Sequence, residues 1–187
     1  MPVDLVFIMG APGSGKTTLL REWIESKNMI SYESKDKKVA WVSDGYCVVF
    51  GRWTGLHKTG ASKIAGRLDG CDRLWNGAAN LCVASDLMKT LVQQGIRLFL
   101  SDGPTLAKPN LVRHAEAAGI RVHFVELDVL PEIALEQWKL RDGAQFKQAK
   151  GTVWVKLKSL WKHHIGWHTL SFAQAKEFVG GKYPFEG

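Results

Sequence analysis

The sequence predicts an α/β fold in which a mainly parallel sheet is covered by helices on both faces, and three observations support it. A glycine-rich segment at 10–17 joins a short apolar strand to a helix. From residue 77 to residue 127, short apolar segments alternate with longer helical ones, and such alternation favours parallel pairing through helical crossovers. Asp44 and Gly45 separate two further apolar segments and predict a tight hairpin, which we expect as an insertion into the sheet.

The individual elements follow from apolar periodicity and from residues that typically begin or end helices. Gly95 and Gly119 are expected to end two of the helices, and Pro131 is expected to begin another. The predicted strands span 4–9, 39–43, 46–50, 97–101 and 121–127. The predicted helices span 16–26, 77–94, 110–118, 131–141, about 152–165 and 171–179.

The segment from Gly10 to Thr17 matches G-x-x-x-x-G-K-[ST], the P-loop pattern, and so predicts a P-loop NTPase fold. Glycines let backbone N–H groups turn inward around a β-phosphate, Lys16 reaches the β- and γ-phosphate oxygens, and the Thr17 hydroxyl ligates Mg²⁺. The helix that follows directs its N-terminus at the anion. We therefore expect ATP and Mg²⁺, with ATP bound by Gly10, Ala11, Pro12, Gly13, Ser14, Gly15, Lys16, Thr17 and Thr18.

A P-loop needs a second carboxylate near the metal, and Asp102 fits because it follows the apolar segment 97–101. Thr17 and Asp102 are therefore the predicted metal ligands, although a strand-end turn would also explain an aspartate there. ATP-driven motors and helicases usually carry Glu directly after this Asp, whereas Gly103 stands here. The GTPase pattern N-K-x-D is also absent. Both observations favour transfer of a phosphoryl group to an acceptor over hydrolysis.

Length and composition are typical of one globular domain spanning 1–187, with 45% hydrophobic and 23% charged residues. No apolar segment approaches the length of a membrane span, so we expect no membrane partner. Cys47, Cys71 and Cys82 show no C-x-x-C spacing. They are typical of reduced thiols in a cytoplasmic protein, and they make a zinc site improbable on sequence grounds.

The formal net charge of +7 is concentrated in two segments. Residues 51–73 hold five basic and two acidic residues, and residues 145–187 hold seven lysines against two glutamates. The remainder holds 13 basic and 14 acidic residues. This distribution favours a polyanionic partner, and for the C-terminal segment a solvated lysine face is an equal alternative.

The segment ELDVLPEIALEQWKLRDG (126–143) resembles the strand and helix that precede the lid in small P-loop kinases. Together with the P-loop and Asp102-Gly103-Pro104, this resemblance to the nucleoside, nucleotide and small-molecule kinases covers most of the α/β core. It implies that Arg141 leans over the transferring phosphoryl group, where charge develops in the transition state. Lys139 is a weaker candidate for that role, and an ordinary surface arginine is the alternative for Arg141.

VVFGRW (48–53), followed by GRLDGCDRLW (66–75), resembles phage-encoded P-loop kinases that include the hydroxymethyluracil DNA kinases. The resemblance implies phosphorylation of a base's hydroxymethyl group within DNA, in the host cytoplasm if the protein is phage-encoded. Trp stands at the aromatic position here, and Cys71 occupies the middle of the second motif. The matching residues are Gly51, Arg52, Trp53, Gly70, Asp72 and Arg73.

The acceptor hydroxyl needs a carboxylate to take its proton. Asp72 is the first candidate because glycines and arginines surround it, Asp44 is the second and Asp69 the third. Within a 39–75 acceptor-side insertion, the predicted acceptor-binding residues are Arg52, Trp53, Arg67 and Arg73, and residues 142–187 are expected to form a lid and basic helices. Two other functions fit the same core: a kinase of a free nucleotide or small metabolite, and an ATP-dependent switch that binds nucleic acid without modifying it.

Overall fold

A seven-stranded sheet with the order β2-β3-β4-β5-β1-β6-β7 forms the centre of the protein. The structure is a computed structural model that describes residues 2–33, 40–51, 53, 78–102, 106–142 and 150–180. The strands are β1 Val3–Met9, β2 Ile30–Glu33, β3 Ala40–Ser43, β4 Cys47–Phe50, β5 Leu98–Asp102, β6 Ile120–Leu127 and β7 Trp167–Leu170.

Helices cover both faces of this sheet. The described helices are α1 Lys16–Lys27, α2 Ala78–Gln93, α3 Pro109–Ala117, α4 Pro131–Asp142, α5 Lys150–Trp161 and α6 Phe172–Val179. Apolar residues of α2, α3 and α5 pack in one cluster with one face of the sheet, and residues of α1 and α6 pack in a second cluster with the other face. The fold class predicted from the sequence is thus confirmed.

The central strand β1 is buried on both faces because its side chains alternate between the two clusters. Val3, Phe7 and Met9 pack on the side of α2, α3 and α5, whereas Val6 and Ile8 pack on the side of α1 and α6. Burial on both faces explains why the segment that precedes the P-loop is apolar at nearly every position.

The order of the parallel strands reverses at β1. This strand pairs in parallel with β5 on one side and with β6 on the other, while β4 lies beyond β5 and β7 beyond β6. Open α/β sheets bind ligands beyond the carboxyl ends of the strands where the order reverses. Gly10 follows β1 at that position, so strand order and P-loop indicate the same place.

The predicted hairpin is present, since β3 and β4 pair antiparallel on either side of Asp44 and Gly45. Its second strand also pairs in parallel with β5, so the hairpin extends the sheet, and β2 continues it as an antiparallel edge. The strands β2 and β7 are absent from the sequence prediction. The helix expected to reach residue 165 ends at Trp161, where a turn leads into β7.

The amino edge of the sheet holds a buried carboxylate, Asp4, that serves the fold. Arg121 donates from Nε and Nη2 to its two oxygens at 2.8 and 3.0 Å, and His123 Nε2 lies 3.2 Å from Oδ1. Burial acts to raise the pKa of Asp4, but the bonds from His123 and Arg121 outweigh it and leave that pKa below its usual value. None of the described helices is long and apolar enough to cross a membrane.

Candidate active site

The P-loop between β1 and α1 is held in a turn that depends on glycine. Gly15, which precedes the first residue of α1, has a left-handed backbone with φ of 90°. The Ser14 backbone N–H donates to the Ala11 carbonyl at 3.1 Å, and the Leu19 N–H donates to the Gly15 carbonyl at 2.9 Å. The loop is therefore shaped by its own backbone, with the first turn of α1 directed at the space that it encloses.

Lys16 lies over this loop. Its Nζ donates to the carbonyl oxygens of Gly10 and Ala11 at 3.0 and 2.9 Å, and it lies 3.5 Å from Ser14 Oγ. These partners are oxygens of the loop itself, so the ammonium group lies against the loop that would surround a phosphate. A phosphate oxygen bound there would meet a positive charge already in position.

Thr17 and Asp102, the predicted metal ligands, meet in the structure. The Thr17 hydroxyl donates to Asp102 Oδ2 at 2.6 Å. Asp102 ends β5 opposite Ile8 of β1 and is 9% exposed, so the strand pairing brings it to the P-loop from 85 residues away. A hydroxyl and a carboxylate are oxygen ligands of the kind that Mg²⁺ prefers, and this pair fits a magnesium site.

Gly13 packs directly against the backbone of α4. A methyl group built on its Cα would overlap the Ala134 carbonyl oxygen and lie 2.8 Å from the Trp138 nitrogen. Ala134 and Trp138 are themselves buried, so α4 is fixed against the loop. The middle of the helix that carries Arg141 is therefore in contact with the P-loop, although the Arg141 side chain lies outside what the structure describes.

Most residues predicted to act on the acceptor lie outside the described residues, namely Arg52, Arg67, Asp69, Asp72 and Arg73. Trp53 is described, and its indole is 4% exposed within the apolar cluster on the α1 side. Its Nε1 donates to the Phe50 carbonyl at 3.1 Å. Packing within the protein therefore explains the buried position of the Trp53 indole. Its contact with an acceptor stays a prediction.

Asp44, the second candidate for the base, lies at the wrong edge of the sheet for that role. It belongs to the turn before β4, and its Oδ1 accepts from the N–H groups of Tyr46 and Cys47 at 2.9 and 2.7 Å. Cys47 pairs with Leu98 at the start of β5, four residues before Asp102. Four residues of strand span about 13 Å, so Asp44 is a turn residue remote from the P-loop.

Glu126 was not identified from the sequence as a residue of this edge. It lies near the end of β6 opposite Met9, the residue that precedes Gly10, and it is 8% exposed. Lys158 of α5 donates to its Oε1 at 2.5 Å. The available signal was one carboxylate near the end of the mostly apolar segment 120–127, and this signal did not reveal the partner of Glu126.

No family model and no curated protein matches the sequence. Solved structures that resemble it include a protein described as APE1195, with 17% identity, 96% of each chain covered and a TM-score of 0.47. A gluconokinase from Sinorhizobium meliloti 1021 has 14% identity over 95% of this chain and 87% of its own, with a TM-score of 0.40. A deoxyadenosine kinase from M. mycoides has 9% identity over 95% and 97%, with a TM-score of 0.39.

Proposed function

We propose that the protein is a kinase that transfers the γ-phosphoryl group of ATP to a hydroxyl acceptor with the help of Mg²⁺. The hydrogen bond of 2.6 Å between Thr17 and Asp102 carries this proposal. It joins the hydroxyl of the residue after Lys16 to a strand-end carboxylate, and this pair can hold the Mg²⁺ that accompanies a bound nucleoside triphosphate.

In this mechanism each residue stabilises negative charge or fixes a position. The backbone of residues 11–18 and Lys16 hold the β- and γ-phosphates, and Thr17 with Asp102 would hold the metal. Bound Mg²⁺ neutralises charge on the phosphate oxygens. Arg141, near the end of α4, stabilises the equatorial oxygens of the moving group, and the contact of α4 with Gly13 supports that placement.

Transfer is favoured over hydrolysis because residue 103 is glycine, so the position after Asp102 offers no carboxylate to polarise a water. The same feature counts against an ATP-driven switch. In our proposal Asp72 takes the proton of the acceptor hydroxyl, with Asp69 as the remaining alternative.

For the acceptor we propose a hydroxymethylated pyrimidine, hydroxymethyluracil, within DNA. The two basic segments suit a long polyanion better than a single nucleotide, and Lys156 of α5 and Lys162 in the turn after it are exposed to solvent. The target base would have to leave the stack to reach the γ-phosphate. Arg52, Arg67 and Arg73 would bind the backbone near it. A kinase of a free nucleotide or small metabolite is the second candidate, and it needs no large basic surface.

Label transfer from γ-labelled ATP distinguishes these acceptors. We expect label on DNA containing hydroxymethyluracil, none on ordinary DNA, and little on free nucleosides and nucleotides. The apparent affinity for DNA should fall steeply with added salt, because lysines and arginines that bind phosphates release condensed counterions. Label on a free nucleotide, with none on hydroxymethyluracil DNA, would overturn the DNA acceptor and leave the kinase.

Replacing Asp102 by Asn should lower turnover at least about tenfold, which corresponds to about 1.4 kcal/mol of transition-state stabilisation. The amide keeps the shape of the side chain but removes the charge that positions the metal. Turnover measured across a Mg²⁺ titration checks this, and Thr17→Ser is the control because it keeps the hydroxyl. If Asp102→Asn has the turnover rate and the Mg²⁺ dependence of the wild type, then Asp102 is only a turn residue at the end of β5 and does not position the metal.

A further inference from the structure

Glu126 is a buried carboxylate at the edge of the sheet that carries the P-loop, and the mechanism above gives it no role. Its Oε1 accepts the bond from Lys158, and its Oε2 lies 3.4 Å from Thr169 Oγ1 of β7. Taking a carboxylate out of water is costly unless a partner compensates it. The pair with Lys158 supplies that compensation and fixes where the Lys158 ammonium group lies.

Glu126 and Asp102 flank the end of β1 from opposite faces of the sheet. Asp102 bonds to Thr17 on the side of α1, whereas Glu126 bonds to Lys158 on the side of α5. The P-loop and α1 would hold a phosphate donor on their own side. The α5 side of the same edge is then where a second substrate can approach.

Lys158 is suited to bind an anion in that position. Its side chain is 45% exposed, in contrast to the 11% exposed side chain of Glu126. An ammonium group has three N–H donors, and Glu126 accepts one of them at 2.5 Å. Strands lie about 4.8 Å apart, and Glu126 is one strand away from the residue that precedes the P-loop. The charge is therefore both held in place and accessible to solvent.

An aromatic surface accompanies this charge. Trp154 lies one helical turn before Lys158, and the Lys158 Nζ is 5.9 Å from the centre of its ring. Trp154 is partly buried and stacks on Trp167 of β7, with ring centres 6.4 Å apart. In the last turns of α5, Lys158 lies at Glu126 and Trp161 stacks on Phe124, so the helix runs antiparallel to β6 and the backbone of its earlier residues lies towards the P-loop edge. The Trp154 indole packs on Trp167, the residue of β7 opposite Phe124, and its partly exposed ring can pack against a base.

We propose that Lys158 and Trp154 form a subsite for one nucleotide unit of the acceptor. Lys158 binds its phosphate, Trp154 packs against a base, and Glu126 is a positioning residue that holds Lys158. This subsite rests on the proposed function, and it adds a second acceptor contact from α5 to those expected from residues 52–73.

The test is equilibrium binding of a fluorescent oligonucleotide containing hydroxymethyluracil, measured by anisotropy with Mg²⁺ and a non-hydrolysable ATP analogue. Lys158→Met should weaken binding about tenfold and reduce the slope of log affinity against log salt by about one. Lys158→Arg should retain most of the affinity. Glu126→Gln should weaken binding in the same direction but less, because Lys158 remains present without its partner.

The ion pair between Lys176 and Glu22 provides a matched control. Its length is 2.8 Å, and it joins α6 to α1 on the other face of the sheet. Lys176→Met and Glu22→Gln remove comparable groups from the other face of the sheet, so they should change oligonucleotide binding far less than Lys158→Met does. Trp154→Phe should retain binding that Trp154→Leu loses.

Equal binding by the wild type, Lys158→Met and Lys176→Met would overturn the subsite. So would a Lys158→Met protein whose melting temperature falls while its affinity and salt slope stay constant, because the pair would then be structural only. If Lys158→Met instead weakens binding of a free hydroxymethyluracil nucleotide and not of the oligonucleotide, that result supports the subsite and assigns it to a free acceptor. Absence of label transfer by the wild type overturns the kinase proposal, whereas this binding test decides the subsite separately.

Discussion

Replacing Lys16 by Ala is expected to lower phosphate transfer at least about 100-fold while the fold persists. The Lys16 ammonium group bonds to the carbonyls of Gly10 and Ala11, and in the transition state it would stabilise charge that develops on the phosphate oxygens. These bonds lie within the loop and not in the apolar clusters, so the melting temperature should change little. Single-turnover label transfer and a thermal unfolding curve measure the two effects.

Lys27→Ala is the matched control for that substitution, because Lys27 lies in the last turn of the same helix with its ammonium group over the Trp23 ring. It removes the same side chain from α1 at the end remote from the P-loop, and its transfer rate should equal that of the wild type. Normal turnover in a folded Lys16→Ala protein would contradict the assignment of the P-loop as the active site.

Replacing Gly13 by Ala should disrupt both the P-loop and its contact with α4. The left-handed backbone at Gly13, with φ of 86°, disfavours any side chain by about 1–2 kcal/mol. The added methyl group would also overlap the Ala134 carbonyl, and such overpacking costs about 1–3 kcal/mol more. We expect the free energy of unfolding to fall by about 2–5 kcal/mol and ATP affinity to fall with it, measured by urea unfolding and by nucleotide titration.

Gly95→Ala separates these two contributions. Gly95 has a left-handed backbone with φ of 102°, but a methyl group built there meets no atom within 4 Å. Its substitution should therefore cost only the backbone strain and leave ATP affinity unchanged. Equal losses of stability in the two variants would contradict the close contact between Gly13 and α4.

The donor side of the site could be predicted because its signals are local. The glycines and Lys16 are contiguous, and Asp102 is recognisable as a carboxylate at the end of an apolar segment. The structure adds the bond between Thr17 and Asp102, which depends on β5 lying beside β1. Local sequence patterns do not determine which strands are neighbours, because that depends on the order of the strands in the sheet.

The strand β7 and the pair of Glu126 with Lys158 could not be predicted, for one shared reason. Trp167–Leu170 is four residues long and lacks a fully buried side, so only pairing with β6 makes it a strand. Lys158 lies on a helix 32 residues after Glu126, and no spacing within the sequence connects the two. Both features depend on contacts between residues that are distant in the sequence, so the local sequence does not indicate them.

The central place of β1 has a consequence for how the chain acquires its activity. This strand is synthesised before both of its neighbours, since β5 and β6 begin only at Leu98 and Ile120. Long loops must therefore close before either pairing forms, and contacts of this kind slow folding. A nascent chain that has not reached Leu127 contains the whole P-loop but lacks the complete strand pairing that supports it. Nucleotide binding would then act as a late reporter of folding, because ATP would stabilise only chains whose sheet is complete.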